Sequence, residues 1–249
     1  MSTEAMTIHP DRPEARLRAI EPEQQTAARV VGFIHLMAMA TSMFAELYVR
    51  GPLIARGDAI QTAINIAESE RLFRISTVIH LITFASDAVV AVALYVVLSR
   101  INRNVALLGA FWRLANCSIL AVILLGDFAV LTLLSGAGSL RAFNPAQLQA
   151  LVQLSLSVEG AGFQIGFVFL GLGSTVFAWL WLKSRYVPRG LAAWGIFASL
   201  VLAFGTVAIM LFPALRVVGM SYMAPMFFYE VGLGLWLVIK GLRQPSEAQ

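Results

Sequence analysis

The chain has 249 residues, 59% hydrophobic and only 13% charged, with a formal net charge of +4. A soluble domain carries about 25% charged residues, so this chain lacks the polar side chains to cover a water-facing surface. The cations lie between long apolar runs rather than in one patch. That placement argues against a nucleic-acid partner and for helix ends held at anionic lipid headgroups.

In chain order, residues 1–26 are polar and of mixed charge, with Pro10, Pro13 and Pro22. They read as a disordered tail. They lack the apolar core of a cleaved signal, so the first span is expected to act as its own anchor. A helix needs roughly 20 apolar residues to cross the hydrocarbon. Six such runs follow, at 27–49, 73–98, 105–134, 158–182, 191–212 and 221–239. The expected fold is therefore an all-α polytopic bundle, with a transmembrane domain at 27–241 and a short tail at 242–249.

The connections differ in kind. Residues 99–104 and 183–190 read as short turns that make the flanking spans antiparallel neighbours. Between the first two spans, Gly51 and Pro52 break the helix and Asp58 caps a short one. Its Ile60, Ala63, Ile64 and Ala67 share one face, which predicts a connector lying on the membrane surface. Asn144 followed by Pro145 is a helix-start signal. A helix from there to Leu182 would be about 57 Å long, against about 30 Å of hydrocarbon. Its first turns must protrude, or it must bend near Gly160 and Gly162. Gly162 and Gly166 also form a small face suited to close helix contact. The single cysteine, Cys117, lies in an apolar run and reads as a packing residue.

Orientation follows from Lys and Arg. With a cytoplasmic N-terminus the inner segments carry Arg12, Arg16, Arg18, Arg29, Arg100, Arg103, Lys183, Arg185, Arg189, Lys240 and Arg243. The outer segments carry the smaller set Arg50, Arg56, Arg71, Arg74, Arg141 and Arg216. Both termini are thus expected in the cytoplasm. The two halves show no internal duplication, which counts mildly against an inverted-repeat transporter.

Several segments, AELYVRG at 45–51, NRNVALL at 102–108, FWRL at 111–114, QIGFVFLGL at 164–172 and SRYVPR at 184–189, carry a resemblance in their order and spacing. Together they resemble the bacterial membrane family known as domain of unknown function 4386, over residues 27–241. The resemblance implies a multi-pass protein of a bacterial cytoplasmic membrane. It transfers no catalytic or ligand residue onto these positions.

Ionisable groups at bilayer depth are unfavourable by roughly 2.5–3.5 kcal/mol each and mark function by default. The spans hold eight: His35, Glu46, His80, Asp87, Arg113, Asp127, Glu159 and Glu230. Counting residues from the turn at 99–104 puts Asp87 roughly 17 Å and Arg113 roughly 12 Å from the inner end. An Asp87–Arg113 salt bridge is predicted, first as a clamp on helix register and second as a proton or anion relay. His35 with Glu46, His80 with Asp87, and Arg113 with Asp127 share helix faces, which points to one polar interior seam. Glu46 is placed to pair with Arg50 four residues on. Asp127 and Glu159, both toward the outer end, suggest an acidic, partly wet cavity there. Glu230 is isolated in sequence.

These residues favour binding or transport of a small solute or proton at the seam. A haem held by His35 and His80 is disfavoured, because their heights differ by roughly 8 Å in a core of about 30 Å. No His-Glu-x-x-His, Gly-x-Ser-x-Gly or phosphate-loop motif occurs. A lipid-active membrane enzyme and a non-catalytic accessory or stress-related membrane protein remain as alternatives. No catalytic, metal-binding or cofactor-binding residue is assigned. The expected partners are the bilayer and a small solute or proton, with protein partners unspecified.

Overall fold

In the computed structural model, residues 20–55, 57–135 and 143–243 are described. Among them there is no strand, and eight α-helices account for most of the described residues. Six stretches are long and apolar enough to cross a membrane. Large apolar side chains such as Phe33, Leu81, Phe111 and Phe204 cover the outside, which is the surface a bilayer solvates. The protein is an all-α, multi-pass integral membrane protein.

The first span is α1 (Pro22–Phe44), prolonged by a π-helical segment (Ala45–Arg50) and a 3₁₀ turn (Gly51–Leu53). It starts earlier than expected. Proline at the first position suits a helix start, and the Glu21 backbone N–H donates to Gln24 Oε1 at 3.2 Å. Residues 22–26 are therefore helical rather than part of a disordered tail. The remainder of that tail, residues 1–19, lies outside the described residues.

The connector α2 (Ala59–Glu68) is capped as expected, with Asp58 Oδ1 accepting from Gln61 N at 2.9 Å. The helix presents one face to the protein and leaves most of its apolar stripe uncovered. Thr62, Ala63 and Ile66 point inward, while Ile60, Ile64 and Ala67 are exposed. Thr62 bonds back to Ala55 and Asp58, and that anchors the polar residue on the inner side. Then come α3 (Glu70–Leu98), and α4 (Arg103–Ile123) with α5 (Leu125–Leu134), which form one span broken at Leu124. Next are α6 (Pro145–Ser184), α7 (Arg189–Leu211) and α8 (Ala224–Ile239), the last preceded by a 3₁₀ turn (Ser221–Met223).

The helix α6 is unbroken over 40 residues, about 60 Å at 1.5 Å per residue. Its start is built as the sequence predicts: Asn144 and Gln147 cap each other reciprocally and Pro145 opens the helix. The helical hydrogen bonding runs on without interruption through Gly160. Nearer its start, Val152 joins Leu53, Ile66, Phe73, Val130 and Leu131 in a small apolar cluster of its own. Gly162 and Gly166 do serve close packing: a Cβ at the first would overlap Ile123, and one at the second would meet Asn116 and Leu120 at 3.0 Å.

The spans pack as a closed ring. Each rests on its sequence neighbours, and the sixth returns to the first. Small residues allow this approach. A Cβ at Gly171 would lie 2.7 Å from the Ser199 carbonyl oxygen on α7, and one at Gly32 would lie 2.7 Å from that of Gly234 on α8. Both chain ends described sit on one face. The Glu21 carboxylate pairs with Arg100, and Leu242 N donates to Gln25 Oε1 at 3.0 Å. Leu242 is buried by this contact rather than free in a tail. We call this the terminal face and its opposite the distal face.

Candidate functional site

Apart from Glu46, which is exposed at the rim, the intramembrane charges are buried or half-buried, but they do not form one continuous seam. They resolve into a mid-bundle cluster and a distal cluster.

The mid-bundle cluster joins three spans through Glu230 on α8. Its Oε1 lies 3.5 Å from Arg113 Nη1 on α4, and its Oε2 lies 3.5 Å from His35 Nε2 on α1. Arg113, 3% exposed, also donates to Ser174 Oγ on α6 at 3.2 Å. Gly173 makes room for this guanidinium stem, since a Cβ there would meet Arg113 Cγ at 3.0 Å. Asp87 does not close on Arg113 as predicted. It is half-buried on α3 and makes no ion pair with Arg113 or His35. Residue counts along α3 and α4 set only the heights of Asp87 and Arg113, and Glu230 of the sixth span occupies the position against Arg113. Glu230, isolated in sequence, is the hub in space.

A cavity of about 30 Å³ opens against His35, Arg113, Ser174 and Glu230, walled by Phe177, Trp181, Tyr229 and Leu233. That is room for a water or two, not for an organic solute. Two buried nitrogens of the cluster, His35 Nδ1 and Arg113 Nε, have no hydrogen-bond partner among the described residues.

The distal cluster is built around a residue the sequence reading left in a loop. Arg50 is 5% exposed. Its Nη1 lies 3.0 Å from Asp127 Oδ1 and donates to Oδ2 at 3.2 Å, while Nη2 pairs with Glu159. Its guanidinium also lies 5.1 Å from the centre of the Phe73 ring, a cation–π distance. Thr77 donates to Asp127 Oδ2 at 2.8 Å. His80 stacks on Phe84 and places Nε2 at 4.0 Å from Glu46, which is itself exposed at the rim.

The expected Glu46–Arg50 pair is therefore absent, and the reason is local. In the π segment Gly51 N donates to the Glu46 carbonyl, five residues back instead of four. The wider turn carries Arg50 away from Glu46 and into the bundle. A Cβ at position 51 would lie 2.7 Å from that carbonyl oxygen, which explains the glycine. Nor do Asp127 and Glu159 line an acidic, wet cavity. Both carboxylates converge on Arg50, and they are 0% and 4% exposed. His35 and His80 belong to different clusters, so they cannot serve together as axial ligands of one haem. Among the described residues, no group of three His, Cys, Asp or Glu is placed to hold a metal ion.

The two clusters share a pattern. Each sets a buried arginine against a carboxylate from a helix distant in sequence, with a histidine alongside. Comparison with known proteins adds a family to this picture. The model of the family described as Domain of unknown function (DUF4386) matches residues 30–241. The chain belongs to the DUF4386 family. No curated protein and no solved structure matches it. Within the DUF4386 match fall Arg50 and all eight charged positions singled out from sequence, so both clusters belong to the family domain.

Proposed function

We propose that this DUF4386 protein handles protons within a bacterial cytoplasmic membrane, coupling proton binding at the mid-bundle cluster to movement of a small solute. The observation that supports this is Glu230 held between His35 and Arg113 beside a water-sized cavity. Glu230 sets one carboxylate against the fixed charge of Arg113, a neutral pair that a low dielectric strongly favours, and His35 stands against its other oxygen as the partner with which a proton is exchanged. The cavity admits a proton and its water carrier at once; a solute needs the helices to part. The placement of both termini in the cytoplasm, supported by the Lys and Arg count, belongs to the same proposal.

The test is proton transfer in proteoliposomes carrying an internal pH dye. After an external acid step, the full chain is expected to acidify the lumen faster than protein-free vesicles. Glu230→Gln is expected to return the rate to the protein-free level. Equal rates for the natural chain and empty vesicles would overturn the proposal.

A further inference from the structure

The distal cluster sits apart from the mid-bundle site and does not depend on the proposal above. Its charges do not balance. Arg50 faces both Asp127 and Glu159, all three sealed from solvent. Every element packed there offers its ionisable or polar groups: Glu46 from the π segment, Thr77 and His80 from α3, Asp127 from α5 and Glu159 from α6. Among the described residues in contact, Arg50 is the fixed cation. With both carboxyls ionised the enclosed group would hold one uncompensated negative charge, a state that burial strongly disfavours.

The donors are shared unequally. Asp127 accepts hydrogen bonds from Arg50 and from the Thr77 hydroxyl, both on Oδ2, while its Oδ1 lies 3.0 Å from Arg50 Nη1 without a hydrogen bond of its own. Two donors beside a guanidinium favour the anion. Glu159 receives Arg50 on Oε2 alone. Its other oxygen accepts no hydrogen bond among the described residues and is the position where a proton fits. Nearby, His80 is 2% exposed and its Nδ1 has no partner there. This is a buried polar atom of the kind that takes part in proton exchange. Glu46, its side chain 57% exposed, stands between His80 and the outside.

We propose that the Arg50 cluster is a binding site for one proton, held on Glu159 against an ionised Asp127 and exchanged with the distal side by way of His80 and Glu46. The proton completes a neutral group of one guanidinium, one carboxylate and one carboxylic acid. No solute is required.

Infrared spectroscopy of the full chain in lipid vesicles at neutral pH tests this. A buried carboxylic acid gives a carbonyl stretch separate from ionised carboxylates. The band is expected to shift when the protein is made with ¹³C-glutamate and to stay in place with ¹³C-aspartate. It is expected to disappear in Glu159→Gln and to persist in Glu230→Gln. That last variant separates this site from the mid-bundle one. The labelling arm uses the natural chain, so it remains decisive even where Glu159→Gln fails to fold. Absence of the band, which a metal cation in place of the proton would produce, overturns the proposal. So does a band that follows aspartate labelling or vanishes in Glu230→Gln.

Discussion

Arg113 and Arg50 show what a guanidinium requires at bilayer depth. Each is sealed from solvent and each is met by a carboxylate from a helix distant in sequence. Removing one partner of such a pair is unfavourable by about 3–5 kcal/mol, because the other charge is left buried and alone. Arg113→Met is therefore expected to lower stability by about that amount, read as a fall in melting temperature in detergent. Glu230→Gln is expected to follow it. Asp87→Asn is expected to cost less than Glu230→Gln, since Asp87 makes no direct ion pair among the described residues and its loss leaves no buried arginine without a carboxylate. A larger loss in Asp87→Asn than in Glu230→Gln would contradict the hub role of Glu230. The charges themselves were legible from sequence, because an ionisable group in an apolar run has nowhere to go but inward. Their partners were not. Residue counts along a helix give height but not azimuth, and only the ring arrangement brings the sixth span against the third.

Helix existence was the most legible feature, since six apolar runs in a chain this poor in charge admit one solvent. Helix details depended on chemistry that periodicity does not carry. The π segment at 45–50 turned Arg50 inward and broke the expected Glu46 pairing, and no hydropathy pattern distinguishes five-residue from four-residue hydrogen bonding. The inward face of α2 is set by Thr62, whose hydroxyl bonds to Ala55 and Asp58 and so tolerates burial. The long helix α6 supplies a controlled comparison of contact and open space. At Gly171 a Cβ would strike the backbone of α7, whereas at Gly160 it would meet nothing within 4 Å. Gly171→Ala is expected to destabilise by about 1–3 kcal/mol through overpacking. Gly160→Ala is expected to be neutral or to stabilise by up to about 1 kcal/mol through helix propensity. Thermal unfolding of the two variants side by side checks the difference, and equal behaviour would mean α6 and α7 are not in contact at Gly171.

At the scale of the molecule, ring closure is the distinguishing property. A Cβ at Gly234 on α8 would lie 2.8 Å from Leu36 Cγ on α1. Cysteines at positions 36 and 234, in a chain with Cys117→Ser, are expected to cross-link with a short bifunctional reagent, and either cysteine alone is not. Failure to cross-link in folded protein would open the ring. The shared terminal face gives a second check. A fluorescent protein fused to the C-terminus is expected to fluoresce in a bacterial cytoplasm, and alkaline phosphatase fused at the same place to be inactive. The reverse outcome would invert the orientation and place the distal cluster toward the cytoplasm.

The closing helix has a consequence for biogenesis. Glu230 is the last charge of its cluster to be synthesised, more than a hundred residues after Arg113. Until α8 is inserted, the third span must wait in the membrane with its arginine lacking that carboxylate, and the groove over Gly32 lies open to lipid. Chains cut short before the sixth span are thus expected to be retained by the insertion machinery or cleared by proteolysis, and full length becomes a condition of assembly rather than merely of activity.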